Sequence, residues 1–359
     1  MTAADARADR LAAALAARGL DALVVTDLVN VRYLTGYTGS NGLAVVGPDV
    51  RRFATDFRYV TQAEQEVRGF AREIGETDLL ASVPAALPAG ATRVGFEDHH
   101  LSVRMHARLR ELLGERVALE PAGGIVEELR AVKDAEEIAR IRAAAALADA
   151  ALERVLEGGL VGRTEREVAL ALEHEMQRLG ARRPSFDTIV AHAGHGALPH
   201  AQPRDVPIAR GSLVVIDWGA ELDGYCSDCT RTYAAGAVDD AARAIHALVL
   251  RAQRAGLDAV RAGVAAADAD RAARDVIAAA GHGEAFGHAL GHGVGLEVHE
   301  GPRLSRASRA TLAVGNVVTV EPGVYLPGRL GVRIEDLVAV GDDGAEVLSS
   351  LPKELTVID

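Results

Sequence analysis

The amino-acid sequence predicts an α/β (α+β) protein of two domains, a smaller α/β domain followed by a larger one. The length of 359 residues exceeds what one small domain needs. Helix and strand patterns alternate in the first part of the chain, whereas apolar strand patterns dominate beyond residue 185. A Glu-Pro-Ala-Gly-Gly segment at 120–124 is typical of a hinge. We therefore expect domains at 1–124 and 125–359, with the functional residues in the second.

The first domain is predicted from short apolar runs that alternate with amphipathic segments. Residues 4–18 repeat apolar positions at helical spacing, and the run DALVVT at 21–26 is typical of a short buried strand. The remaining predicted elements are a glycine-rich turn region at 30–42, strands at 43–46, 52–55 and 94–97, and helices at 56–67 and 102–113.

The second domain is predicted to begin with two helices that carry capping signals. In each, an Asp or Thr is followed three residues later by Glu, which is the spacing of a capping box. The periodicity predicts helices from Asp134 to about Glu157 and from Thr164 to Leu179. One further helical stretch lies at about 240–280, between segments with strand patterns.

Charge and hydropathy bear on the partners of the chain. A net charge of −12 leaves no basic surplus to neutralise phosphates, so we expect no nucleic-acid partner. No run approaches the roughly 18 apolar residues that a membrane span needs. Residues 1–20 carry charges throughout, unlike the apolar core of a signal peptide. We expect a cytoplasmic protein without a membrane partner.

The two cysteines, Cys226 and Cys229, have the C-x-x-C spacing of some redox and zinc sites. The surrounding residues 224–233 are typical of a strand, in which positions i and i+3 lie on opposite faces. A zinc ribbon would also need a second cysteine pair. The sequence therefore favours two buried thiols over a redox or zinc site.

Two segments of the second domain share one pattern, an apolar strand that ends in a carboxylate, then a glycine-containing loop and a second carboxylate. SLVVID ends at Asp217, and Asp228 follows eleven residues later. NVVTVE ends at Glu321, and Glu335 follows fourteen residues later. A buried carboxylate is costly unless it is paired or bound to a metal ion. Each acid alone could face solvent in a turn, but two matching halves predict that all four come together.

A glycine-rich run at 282–299 contains four of the twelve histidines. His288 and His292 have the i, i+4 spacing of a helical metal pair, but the surrounding glycines disfavour a helix. We therefore expect His292 in a loop or strand, where glycine lets the backbone approach a ligand. One imidazole with four carboxylates suits two divalent ions such as Mn²⁺ or Co²⁺. The pattern predicts a two-metal hydrolase.

The chain resembles the creatinase/aminopeptidase family of "pita-bread" metallopeptidases, which includes Xaa-Pro aminopeptidase, prolidase and methionine aminopeptidase. The segments that carry the resemblance are VVIDWGAELDGYCSDCTRT, GHGVGLEVHEGP, VEPGVY and VRIED. YLTGYTGSNG and TDFRYVTQA resemble the creatinase-type N-terminal domain of the same family. The resemblance implies a creatinase-like domain at 1–124 and a pita-bread catalytic domain at 125–359.

The resemblance implies a role for each predicted metal ligand. Asp217 and Asp228 would both bind metal, with Asp228 bridging the two ions. His292 and Glu321 would complete the coordination of one ion, and Glu335 would bridge the pair. Glu321 would also carry a proton as general base and acid.

Further residues match the surroundings of the family's metal site. His299 and His200 match two histidines that steady the substrate and the tetrahedral oxyanion. Arg333 lies two residues before a predicted ligand, hence on the same strand face, and would hold carboxylate geometry. The other candidates for this surrounding layer are Tyr325, His288 and Thr230.

The resemblance also bears on the substrate, expected to be a small peptide with proline in the second position. Arg303 resembles an arginine that proline-specific members place near the proline-side pocket. Phe186 matches an apolar pocket residue, and an apolar wall suits an imide bond, which has no N–H. The family usually has Ser-Gly where this chain has His192-Ala193. We therefore expect the pocket around His192 to differ.

The predicted function is hydrolysis of Xaa-Pro bonds by an aminopeptidase P-like enzyme that releases the residue before proline. Prolidase, an Xaa-Pro dipeptidase, is the alternative. Creatinase-type hydrolysis without metal and a non-enzymatic peptide-binding relative are disfavoured, because all five ligands are present. Mn²⁺ is the expected metal, with Co²⁺ or Zn²⁺ as alternatives, and a homodimer is expected by analogy.

Overall fold

The structure is a computed structural model that describes residues 3–359. Its internal contacts divide the chain into two compact units, between Arg130 and Ala131. The predicted hinge at 120–124 begins inside a β-strand that ends at Pro121. The assignment of functional domains to 1–124 and 125–359 stays a prediction.

The N-terminal unit is a mixed six-stranded sheet with helices around it. Its strands are β1 (Ala22–Val25), β2 (Leu43–Gly47), β3 (Val50–Asp56), β4 (Ala71–Gly75), β5 (Arg93–Phe96) and β6 (Ala118–Pro121). Its helices are α1 (Ala3–Ala17), α2 (Leu28–Thr35), α3 (Val60–Glu66), α4 (Val83–Ala86), α5 (Val103–Leu113) and α6 (Ile125–Arg130). The strand order is β4-β3-β2-β1-β5-β6, with antiparallel pairing from β1 to β3 and parallel pairing on either side.

Helix α2 corrects the turn region predicted at 30–42. The carboxylate of Asp27 accepts a hydrogen bond from the amide of Val29 and caps the helix. Val31 and Leu34 are buried on one face of α2. Gly36 ends the helix with a φ of 84°, a left-handed conformation that glycine adopts at little cost. The glycine-rich loop therefore begins only after residue 35.

The C-terminal unit contains four long helices and fourteen short strands. Its helices are α7 (Ala135–Leu156), α8 (Glu165–Arg178), α9 (Asp240–Ala259) and α10 (Ala266–Ala279). Its first seven strands are β7 (Arg183–Pro184), β8 (Ile189–His192), β9 (Ser212–Trp218), β10 (Ala220–Leu222), β11 (Tyr225–Cys226), β12 (Cys229–Ala235) and β13 (Gly291–Gly293). The others are β14 (Glu300–Leu304), β15 (Val317–Val320), β16 (Gly323–Leu326), β17 (Leu330–Arg333), β18 (Asp336–Val340), β19 (Ala345–Val347) and β20 (Val357–Ile358).

Helices α7 and α8 begin at the predicted capping boxes. Asp134 accepts from the amide of Glu137, whose side chain accepts from the amide of Asp134. Thr164 and Glu167 make the same reciprocal pair at α8. Each box satisfies two amides that have no partner within the helix. The helical stretch predicted at about 240–280 is confirmed, but it is divided into two helices, α9 and α10.

The C-terminal unit repeats one arrangement twice. In one half, α7 and α8 contribute Leu152 and Val168 to a core shared with β9. In the other half, α9 and α10 contribute Val249 and Ile277 to a core shared with β15 and β18. Antiparallel pairing joins β9 to β12 and β15 to β18. Each half is therefore an antiparallel strand pair packed against two helices.

The strand predicted across residues 224–233 is interrupted. Cys226 ends β11, and Cys229 begins β12 in a different sheet. Both cysteines are buried and free, as predicted. Burial raises the pKa of Cys226 to about 12 and that of Cys229 well above its usual value. Within residues 3–359, no helix is long and apolar enough to cross a membrane.

Candidate metal centre

Each strand pair of the C-terminal unit brings two carboxylates to one end. Asp217 lies on β9 opposite Thr230 of β12, and Asp228 lies just before β12. Glu321 follows β15, and Glu335 lies just before β18. The positions match because each antiparallel pair places the end of one strand beside the start of its partner. The four predicted acids therefore occupy equivalent places in the two halves.

The carboxylates and one histidine form two overlapping groups. Oxygen atoms of Asp217, Asp228 and Glu335 all lie within 4.8 Å of one another, and the three residues are buried. Nε2 of His292, on β13, lies 3.6 Å from Oδ2 of Asp228 and 3.4 Å from Oε1 of Glu321. Asp228 thus belongs to both groups, as a residue that bridges two ions would.

The orientation of His292 suits a metal ligand. Its Nδ1 lies 3.1 Å from the carbonyl oxygen of Gly293, so Nδ1–H can donate there and leave Nε2 free toward the carboxylates. Burial lowers the pKa of His292 to about 4. The ring is therefore neutral near pH 7, which is the form that binds a metal ion.

The electrostatics of the cluster fit bound cations. Burial and then neighbouring carboxylates raise the pKa of Asp228 and Glu335 well above the usual range. Burial raises the pKa of Glu321 to about 8. Oδ1 of Asp217 is buried and has no hydrogen-bond partner among the described residues. Divalent cations would offset this crowded negative charge and satisfy that oxygen.

Arg333 connects several of the predicted surrounding residues. Its Nη2 donates to Oδ2 of Asp217 at 2.5 Å, and its Nε donates to Oγ1 of Thr230 at 3.0 Å. Thr230 in turn donates to Oε2 of Glu335 at 2.6 Å. Nη1 of Arg333 donates to the hydroxyl of Tyr325 at 2.9 Å. Arg333 therefore holds Asp217 directly and Glu335 through Thr230.

His288 extends this network on the other side of Tyr325. Its Nε2 lies 2.9 Å from the Tyr325 hydroxyl. Burial lowers the pKa of His288 to about 4. It lies outside any helix, as the surrounding glycines predicted.

Three residues that were predicted to contact the substrate are His299, His200 and Arg303. The rings of His299 and His292 have centroids 4.4 Å apart. Burial and then the charges of Arg303, on β14, and of His200 lower the pKa of His299. His299, His200 and Arg303 are exposed, so a peptide in solution can reach them.

His192 and Phe186 are the other two residues predicted to contact the substrate. His192 is buried at the end of β8, and its Nδ1 lies 2.8 Å from Oε1 of Glu165. Phe186 is half-buried after β7, and no hydrogen bond or ring contact within residues 3–359 joins it to the carboxylates. Their role in substrate binding stays a prediction.

Thr319 is a site residue that was not predicted from the sequence. Its hydroxyl donates to Oε1 of Glu321 at 3.0 Å and accepts from the amide of His292 at 3.1 Å. It therefore orients two of the predicted ligands. The signal was the single hydroxyl inside the apolar run VVTVE.

Comparison with known proteins identifies two domains. Residues 139–342 match metallopeptidase family M24, and residues 7–132 match the creatinase/prolidase N-terminal domain. An Xaa-Pro dipeptidase from Pyrococcus furiosus is 35% identical over 351 residues, covering 97% of this chain and 99% of the relative.

Two solved structures extend the comparison. An Xaa-Pro dipeptidase from Bacillus anthracis is 38% identical, with 99% of both chains covered and a TM-score of 0.95. An X-Pro aminopeptidase from Thermotoga maritima is 35% identical, with 94% of this chain and 98% of that chain covered and a TM-score of 0.89. The predicted fold and family are confirmed. The chain therefore belongs to metallopeptidase family M24, as a metal-dependent enzyme with a creatinase-type N-terminal domain and a pita-bread catalytic domain.

Proposed function

We propose that the chain is a dinuclear Xaa-Pro dipeptidase, a prolidase, which hydrolyses the imide bond of Xaa-Pro dipeptides. One observation supports this proposal above all. Oxygen atoms of the buried residues Asp217, Asp228 and Glu335 lie within 4.8 Å of one another, and Oδ2 of Asp228 also lies 3.6 Å from Nε2 of His292. Two full-length relatives with similar sequences bear the name Xaa-Pro dipeptidase. These similarities favour the prolidase alternative over the aminopeptidase P-like function. The similarity to an X-Pro aminopeptidase keeps that function as the second candidate.

Five residues would hold the two ions: Asp217, Asp228, His292, Glu321 and Glu335. The oxygen-rich set supports Mn²⁺, with Co²⁺ or Zn²⁺ as alternatives. When bound, two such ions polarise the scissile carbonyl and activate water.

Glu321 would move the proton. Bound cations would keep its carboxylate ionised despite burial. Its Oε1 accepts from Thr319, which leaves Oε2 to take the proton of the attacking water and pass it to the proline nitrogen. The lowered pKa of His299 favours the neutral ring, which can donate one hydrogen bond to the developing oxyanion. His200 would donate a second hydrogen bond to the substrate.

An enzyme that prefers dipeptides needs a residue that binds the free carboxylate of the substrate's C-terminal proline. Arg303 is exposed on β14, and its charge acts on both His292 and His299. A guanidinium can bind a carboxylate through two hydrogen bonds. We assign the substrate carboxylate to Arg303 and the proline side to the pocket predicted around Phe186 and His192.

The discriminating experiment compares Xaa-Pro with Xaa-Pro-Yaa peptides, using purified protein supplied with Mn²⁺. We expect kcat/KM to favour the dipeptide by at least roughly tenfold, because only the dipeptide places a carboxylate at Arg303. A preference for the longer peptide would instead establish the aminopeptidase function.

The metal requirement is tested on the same substrates. Asp228→Ala and exhaustive chelation should each abolish turnover. Asp275→Ala, which removes an exposed acid on α10, is the matched control and should retain it. Activity that survives chelation, or that persists in Asp228→Ala, would refute the mechanism.

Assembly and location are also proposals. A homodimer is proposed by analogy with the family, and sedimentation analysis tests it. A cytoplasmic location is proposed from the sequence, and cell fractionation tests it.

A further inference from the structure

Glu165, the first residue of α8, is fully buried, and three residues donate to its carboxylate. His192 approaches through its amide at 3.0 Å and its Nδ1 at 2.8 Å. Nδ1 of His195 lies 2.9 Å from Oε2. Arg204 donates through its amide at 3.0 Å and through Nε and Nη2 at 3.1 Å. Although burial raises it, these bonds lower the pKa of Glu165 to about 2, so the group is an anion at neutral pH.

The three partners of Glu165 bracket one segment, residues 192–204. This segment contains His200, which lies close enough to His288 and His299 for a positive charge on its ring to lower their pKa. It also contains Pro199, whose carbonyl oxygen accepts from Nη1 of Arg333 at 3.2 Å. A single carboxylate therefore holds both ends of the segment that leads to the metal centre.

The middle of the segment is packed closely against β17. A Cβ atom at Gly331 would lie 1.7 Å from the carbonyl oxygen of Gly196, so only glycine fits there. Ala193 has a φ of 50°, a left-handed conformation that is unfavourable for a residue with a Cβ atom. Such a conformation persists only when its neighbours hold it. Here the neighbours are His192 and His195, both bonded to Glu165.

We propose that Glu165 is a positioning residue that fixes segment 192–204, so that His200 meets the substrate and the Pro199 carbonyl meets Arg333. The consequence for catalysis rests on the proposed function. The consequence for the conformation of the segment does not.

The conformational test uses the metal-free full chain and the variant Glu165→Gln. Gln has the same size, but an NH₂ group replaces one of the two accepting oxygens. This NH₂ group would face N–H groups of His192, His195 or Arg204, which also donate, so hydrogen bonds to the segment are lost. We expect amide hydrogen exchange in peptides spanning 193–203 to rise on the order of tenfold. Asp149→Asn is the matched control, because Asp149 is a buried carboxylate on α7 bonded to Ser350, and it should leave that exchange unchanged. Unchanged exchange in Glu165→Gln would overturn the proposal.

The kinetic test is a double-mutant cycle with His200→Ala on an Xaa-Pro dipeptide. Glu165→Gln alone should lower kcat/KM by roughly tenfold to a hundredfold, because His200 loses its position. In the His200→Ala background the same change should have an effect of less than about threefold. Additive losses would overturn the proposal, since general destabilisation does not depend on His200. A wild-type enzyme without Xaa-Pro activity would refute the proposed function and leave the exchange result standing.

Discussion

Charged side chains of the C-terminal unit are buried at positions where hydrogen-bond partners replace the water that they lose. Arg333 is 3% exposed, yet it donates to Asp217, Thr230 and Tyr325. A lone guanidinium would not be stable there. Burial and then the neighbouring carboxylates raise the pKa of Asp228 and Glu335, so the charge of Arg333 counters part of this cluster of negative charge and bound metal ions would counter the rest.

Arg333→Lys should weaken metal binding because lysine cannot make the three separate bonds at once. We expect affinity for Mn²⁺, measured by calorimetry, to fall roughly tenfold to a hundredfold. Arg130→Lys is the control, since Arg130 is a buried arginine of the N-terminal unit that donates to Asn30. Equal Mn²⁺ affinity in wild type and Arg333→Lys would contradict this role.

A site residue could be predicted from the sequence only where its amino-acid type is unusual in the local sequence pattern. Carboxylates after VVI and VTV runs are unusual, so Asp217 and Glu321 were predicted as site residues. Glu165 was not, because an acid in the first turn of a helix is ordinary there. Its several partners come from positions 27 to 39 residues away, and sequence spacing alone does not place them.

At the scale of elements, local signals predicted helices better than strands. The capping boxes of α7 and α8 lie within four residues, so they could be read directly. The two-residue strands β7 and β20 exist only through pairing with distant partners, and no local pattern identifies them. By contrast, β11 pairs with β10 across the two-residue turn Asp223-Gly224, a local hairpin signal that was not used in the prediction. The helix α2 was hidden because the following glycines suggested a turn.

Asp134→Ala should destabilise α7, since the substitution removes the acceptor for the amide of Glu137. We expect the free energy of unfolding, measured with urea, to fall by about 1 kcal/mol. Asp134→Asn is the matched comparison, because asparagine also caps helices well, and it should lose less. Equal losses in the two variants would show that the carboxylate charge, rather than the cap, stabilises the helix start.

At the scale of the whole molecule, the repeated halves explain how a site with four acids can form. One strand pair with two helices supplies Asp217 and Asp228, and the other supplies Glu321 and Glu335. Neither half alone contains the predicted set of five ligands. The sequence predicted that the four acids come together, because two segments share one strand-and-loop pattern with acids at equivalent positions. It did not show the pairing of β9 with β12 or of β15 with β18, which depends on tertiary contacts.

Metal binding should therefore stabilise the C-terminal unit selectively, because every proposed ligand lies beyond Ala131. A ligand at a hundred times its Kd stabilises the state that binds it by about 2.7 kcal/mol. With Mn²⁺ at that concentration, we expect amide exchange in peptides covering 212–235 and 315–340 to slow by up to about a hundredfold. Peptides from 3–130 should exchange at the same rate with and without Mn²⁺. Asp228→Asn should remove the protection, whereas equal protection in both units would contradict a site built from the C-terminal unit alone.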